Sequence, residues 1–261
     1  MASCKPPIST QESGKHGAPC RQRRSVEHLE RRDFIRVCAS GIAAAGVPQG
    51  FAAQNATARL YARAKLLNAD GTSLRAAAVP AQKNLIFHYP FASTPCFLLN
   101  LGKPARAAAT LKTAANEPYR WTGGVGPSGS IVAYSAICAH QLAYPTRQIS
   151  FISYRPESSA RNKHAQVIHC CAEHSQYDPA DGARVVAGPA PQPLAAILLE
   201  HDARTDELVA TGTLGGEMFN QFFAKYEFKL AFEHGDAAHR AVAGTAVVNE
   251  LENYCRQQVR C

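Results

Sequence analysis

Two short clusters hold the residues whose types and spacing suit chemistry. Cys138-Ala139-His140 offers a thiolate and an imidazole two positions apart, and Cys171-Ala172-Glu173-His174 offers a second pair three positions apart. Two Cys and two His satisfy a tetrahedral zinc ion. They equally satisfy a [2Fe–2S] cluster, with both Cys on one iron and both His on the other. In that arrangement two neutral imidazoles replace two thiolates, so the cluster is less negative and easier to reduce. Spacing alone does not separate the two, but the surroundings favour the cluster. Ser175 and Tyr177 closely follow His174, and their hydroxyls can donate to a ligand sulfur or a bridging sulfide, which favours the reduced state. The stiff loop Gly188-Pro189-Ala190-Pro191 follows after 13 residues and can shield a cluster from water. No nucleophile–base–acid set, Gly-Xaa-Ser-Xaa-Gly elbow or Walker-type phosphate loop is present.

The elements that must position these clusters read as strands. Leu85–Tyr89, Cys96–Leu101, Ile131–Tyr134, Gln166–His169, Leu194–Glu200 and Glu207–Thr211 are short apolar runs. Gly123-Gly124, Gly126-Pro127, Asp181-Gly182 and Gly188-Pro189 punctuate them. Short strands spaced by such turns predict an all-β sandwich or barrel. The Ala- and Lys-rich stretch 103–120 reads as an insertion with a helical turn. The tail is mixed. Met218, Phe219, Phe222, Phe223 and Tyr226 have helical spacing, whereas Tyr226, Phe228, Leu230 and Phe232 alternate as in a half-buried strand. Residues 242–256 read as a further helix ending near Cys255. The organisation expected is a signal region (1–58), a β domain (59–212) and a C-terminal extension of mixed helix and strand (213–261).

Charge narrows the function classes. The chain has 261 residues, with 28 Lys+Arg against 20 Asp+Glu. Residues 1–58 carry 8 basic and 4 acidic residues, half of the net +8, which leaves the rest only mildly basic. No basic face interleaved with aromatics points to nucleic acid. Within the first segment, Arg31-Arg32-Asp33-Phe34-Ile35-Arg36 precedes a modest apolar run, Val37 to Val47. This resembles a bacterial twin-arginine export signal. That route carries folded proteins, so the resemblance implies a cofactor acquired before export and residence in the periplasm, where spare thiols can pair. The stretch from Val37 to Ala58 is interrupted by Pro48 and Gln49, which makes it a weak membrane anchor.

Taken together, the C-x-H and C-x-x-H loops, the Ser175-Gln-Tyr-Asp178 run and the Gly188-Pro-Ala-Pro191 loop resemble the Rieske [2Fe–2S] proteins. Tyr89-Pro90, Thr94-Pro95-Cys96, Gly123–Pro127 and Ile131–Ser135 are similar to the small subunit of periplasmic arsenite oxidase, over about residues 83–212. The resemblance implies an antiparallel β-sandwich with a cluster-binding subdomain, and ligands Cys138, His140, Cys171 and His174. Ser175, Tyr177, Gly188 and Pro189 would surround the cluster. Cys171 is preferred to its neighbour Cys170 because it keeps the family's C-x-x-H spacing.

Three departures from the family pattern stand out. The loop-to-loop disulfide of many relatives is missing, because Ala143 and Glu173 hold its positions. The second loop is one residue short between His174 and Tyr177. The clusters are also separated by a long span, with an insertion around Arg155 to His164. The function implied is one-electron transfer, with His140 and His174 facing a partner and a potential that falls as their other nitrogens deprotonate. The expected partners are a larger redox subunit, molybdopterin-containing in the arsenite-oxidase reading, and a c-type cytochrome or similar acceptor. The Rieske subunit of a quinol–cytochrome c oxidoreductase and a non-redox zinc module are the alternatives.

Overall fold

The computed structural model describes residues 58–159 and 163–261. The twin-arginine segment lies outside them. Thirteen strands precede the tail: β1 (Ala58–Leu67), β2 (Leu85–His88), β3 (Pro95–Asn100), β4 (Ala109–Lys112), β5 (Pro118–Trp121), β6 (Ile131–Ser135), β7 (Ile149–Ser150), β8 (Ile152–Arg155), β9 (Val167–Cys170), β10 (Ser175–Asp178), β11 (Arg184–Ala187), β12 (Ala196–Asp202) and β13 (Glu207–Leu214). The tail adds α1 (Phe219–His234), β14 (Gly244–Val247), β15 (Asn249–Glu250), α2 (Leu251–Tyr254) and β16 (Gln257–Gln258). The all-β expectation holds, with a small helical part in the C-terminal segment. Among the described residues no helix is long and apolar enough to cross a membrane.

The large sheet runs β14-β1-β13-β12-β6-β3-β2-β15. Its two outermost strands, β14 and β15, are neighbours in the chain with Val248 alone between them. One continuous segment therefore runs along both edges, parallel to β1 and antiparallel to β2, and curls the sheet closed. Alternation shows how the central strands are used. Cys96 and Leu98 of β3 and Ile131 and Ala133 of β6 fill the interior with Phe87, Leu66 and Leu208. Phe97, Leu99, Val132 and Tyr134 face the other way, onto a second core. Both faces of these strands are buried, so their sequences read as unbroken apolar runs rather than as alternation.

The second core is shared with the smaller sheet, β11-β10-β9-β8, and with the β4–β5 hairpin. That hairpin occupies the stretch expected to hold a helical turn, where Ala109 and Leu111 bury one side while Thr110 and Lys112 face solvent. A third core forms where α1 lies on the loop after β6. Phe219, Phe222 and Leu230 pack there against Ile137, Leu142 and Tyr144.

Two expectations for the tail are corrected. Residues 227–232 form the second, helical part of α1, beyond a kink at Tyr226 (φ −114°, ψ 17°), rather than a strand: Leu230 is fully buried, while Phe228 and Phe232 are 90% and 92% exposed. Burial thus follows the helical repeat from Phe219 through Phe222 to Leu230, and the alternation of aromatics does not mark a face. Residues 242–256 form β14, β15 and the short α2, because the open edges of the large sheet take their backbone groups.

Candidate metal centre

Each cluster loop leaves the end of a strand. After β6 the chain passes through Ala136 and Ile137 to Cys138, which is fully buried. The Cys138 N–H donates to Ala143 O at 2.8 Å, and Leu142 N–H donates back to Cys138 O at 2.9 Å, closing a compact loop. The second loop is the four-residue tip between β9 and β10. Cys170 ends β9, pairs across the hairpin with Ser175, and is also fully buried.

The two buried thiols share one core and act on each other's ionisation more than any other group does. Their surroundings repeat. The backbone N–H groups of His140 and Gln141 bond the sulfur of Cys138, and those of Ala172 and Glu173 bond the sulfur of Cys170. In both loops the donors come from the second and third residues after the Cys. Such donors stabilise negative charge on sulfur. Cys170, helped by Tyr177 and the two amides, lowers the Cys138 thiol to about 6 against the opposing effect of burial. Cys170 is pushed the other way, upward, by Cys138 and by burial.

Tyr177 completes this half of the site. Its hydroxyl accepts from the Ala139 N–H at 3.1 Å and lies 3.3 Å from Cys138 Sγ. With the backbone donor occupying its oxygen, the hydroxyl proton points to the sulfur. Burial, and the charge at Cys138, keep the phenol protonated. Among the described residues His140 Nδ1 and Ser175 Oγ are two of six buried side-chain polar atoms with no hydrogen-bond partner, the others being on Tyr89, Ser153, Tyr154 and Asp181. Two buried thiols with amide donors, beside an unpartnered imidazole nitrogen and hydroxyl, are a donor set that fits a metal centre.

The remaining expected site residues fall elsewhere. Cys171 is bonded to Cys261 in a disulfide, so it offers no thiolate here. The preference for Cys171 over Cys170 is therefore corrected: Cys170 ends β9 buried in the same core as Cys138, whereas Cys171 lies in the tip and is bonded to Cys261. His174 sits at the exposed hairpin tip with φ +58°, and its ring is 5.8 Å from that of His169. Glu173, three positions after Cys170, is exposed beside it. Gly188, at φ +85°, lies against the backbone of the same tip. A Cβ there would be 2.5 Å from His174 O and 2.6 Å from Ser175 Cα, so only glycine permits this approach. Pro189 next to it is exposed.

A tetrahedral zinc ion with bonds of 2.0–2.3 Å holds its four donor atoms within about 4 Å of one another. Among the described residues, the group of three His, Cys or carboxylate donors drawn together within 4.8 Å is His169, Cys171 and Cys261, two of which are joined as the disulfide. Cys138, His140 and Cys170 are not gathered in that way.

No protein-family model matches the chain. Among solved structures it is similar to the soluble domain of the Rieske protein II (soxF) from Sulfolobus acidocaldarius. The two are 26% identical, the alignment covers 60% of this chain and 82% of that one, and the TM-score is 0.40. A superposition this loose leaves the reading of the site to its own residues.

Sequence reasoning places Cys170 second to Cys171 and leaves the partner of Cys261 open. The one-residue shortfall of the second loop is the signal for Cys170. Counted from Cys170 instead of Cys171, the distance to Ser175 and Tyr177 is no longer short, and the two loops become equivalent in their amide donors. Cys261 had no such signal, because 90 residues separate it from Cys171.

Proposed function

We propose that the chain binds a [2Fe–2S] cluster and transfers one electron at a time. In this reading it is the small subunit or partner of a larger periplasmic oxidoreductase, molybdopterin-containing as in the arsenite-oxidase-like case, and it hands electrons to a c-type cytochrome or similar acceptor. Export by the twin-arginine route accords with a cofactor loaded before transport. The observation that carries the reading is the buried pair Cys138 and Cys170, each with two backbone donors and with Tyr177 on one sulfur. These donors offset the charge of two thiolates in a buried site. His140 supplies the unpartnered nitrogen for the other metal. The fourth ligand comes from the exposed tip, from His174 as the resemblance implies; Glu173, three positions after Cys170, is the other donor there.

The test is metal analysis of the native complex, captured through this chain and kept anaerobic, together with its visible spectrum before and after reduction. Iron with molybdenum and a spectrum that bleaches on reduction is the expected result. Iron without molybdenum would move the chain to a quinol–cytochrome c complex or a free carrier. Zinc alone would overturn the cluster. Cys170→Ser should take up no iron, while Cys171→Ser, which also breaks the bond to Cys261, should still take it up and release it faster; the same comparison of uptake between His174→Ala and Glu173→Ala assigns the fourth ligand.

A further inference from the structure

The two thiol-bearing loops are far apart in the chain, and neither Ala143 in the first nor Ala172 or Glu173 in the second carries a sulfur to tie them. The C-terminal segment reaches both. On the first loop, α1 places Lys225 Nζ 2.7 Å from Gln141 O, where it donates a hydrogen bond. Tyr144 packs edge-on against Phe222 at 4.9 Å and against Tyr226 at 5.0 Å, and Leu142 is buried in the same core. Beyond α2 the chain runs along the segment leaving that loop. Arg256, Gln257 and Val259 N–H groups donate to the carbonyls of Arg147, Gln148 and Ser150 at 3.0, 3.1 and 2.8 Å. The strand then reaches the second loop. Arg155 donates to Val259 O, and Cys261 is bonded to Cys171, the residue next to Cys170. Cys171 N–H donates to Phe151 O at 2.6 Å, fixing the backbone at the same point.

We propose that residues 219–261 form a clamp that sets the separation of the two loops, with the Cys171–Cys261 disulfide as its covalent end. Cys171 and Cys261 are then positioning residues for Cys170. The bond ties the first residue of the hairpin tip to a tail already hydrogen-bonded beside the first loop. Removing it leaves the tip held by β9–β10 pairing, by the Gly188 approach and by the Cys171 N–H bond to Phe151 O. This inference rests on the cluster reading above, because it concerns the spacing of the proposed iron ligands.

The experiment uses the full chain with Cys261→Ser and, as an independent second variant, Lys225→Ala. Hydrogen exchange on the metal-free protein reads the loops directly. Cys261→Ser should lose protection in residues 169–177 and Lys225→Ala in residues 138–144, with the large sheet unchanged in both. After anaerobic reconstitution, iron release from Cys261→Ser to a chelator should be about tenfold faster or more, the usual scale for lost support of metal ligands. Exchange in 169–177 equal to wild type would overturn the clamp. So would loss of protection spread evenly over the large sheet, which marks a general structural role. Wild-type protein that takes up no iron, with exchange altered as expected, would overturn the cluster reading and with it the positioning role.

Discussion

Replacing Tyr177 by phenylalanine removes one oxygen from the buried half of the site and leaves the ring in place. The hydroxyl lies 3.3 Å from Cys138 Sγ and accepts from Ala139 N–H at 3.1 Å. A hydrogen bond to a charged group contributes about 1.5–3 kcal/mol. Only the part that differs between redox states moves a potential. A ligand sulfur is more negative in the reduced cluster, so the bond is stronger there. If roughly half of about 2 kcal/mol is differential, about 1 kcal/mol of preference for the reduced state is lost. For a one-electron couple, where 59 mV is a tenfold change, that is about 40 mV downward. Stability should fall as well, because the Ala139 N–H loses its acceptor in a dry site, at a cost of about 1–3 kcal/mol. A redox titration followed by visible absorbance measures the first effect, and urea unfolding of the metal-free protein measures the second. A potential within about 10 mV of wild type, or one that rises, would refute the donor role assigned to Tyr177.

The fold makes further predictions. His88 is largely enclosed, and burial, with His234 and Arg147 adding to it, lowers its pKa to about 4. The unfolded chain binds that proton near pH 6.5 and the folded chain does not, so this contribution to stability is complete above about 6.5 and is lost as pH falls towards 4, by up to about 3 kcal/mol. Urea unfolding at several pH values should therefore show a steeper acid loss for wild type than for His88→Gln; identical slopes would discard the assignment. Gly188→Ala adds a Cβ 2.5 Å from His174 O at a positive φ, whereas Gly71, at a similar φ of +84°, has nothing within 4 Å. Gly71→Ala should cost only backbone strain of about 1 kcal/mol. Gly188→Ala should cost more and also weaken iron retention; equal effects on both properties would show that the Gly188 loop does not support the hairpin tip.

Strands near residues 85–101 and 131–135 were legible because a strand buried on both faces must be apolar throughout, and turn residues bound it; those over 194–214, buried on both faces only near Ala196 and Leu214, were legible from their apolar runs. The tail was less so. Its aromatics satisfy two periods at once, and only the third core decides that Phe222 and Leu230 are inside while Phe228 and Phe232 are outside. The hairpin at β4–β5 was hidden by its Ala and Lys content, which local propensity assigns to helix but pairing with Tyr119 and Trp121 overrides. Motif and chemistry single out Cys138, Tyr177 and Gly188 as candidates. The choice between two adjacent cysteines is not readable in the same way, since it depends on Cys170 ending β9 in the core while Cys171 lies in the tip bonded to Cys261. The bond to Cys261 is a long-range contact with no local trace.

The closure of the large sheet also restricts how this protein can associate. A sheet with a free outer strand can accept another chain as an added strand, through main-chain hydrogen bonds that tolerate many sequences. Here residues 244–250 pair with β1 and with β2, so the outer backbone groups of those two strands are taken up within the chain. At those two strands a partner must then recognise side chains and loop shape. Such recognition tolerates few substitutions, and it closes strand addition at β1 and β2 to a second copy of the chain.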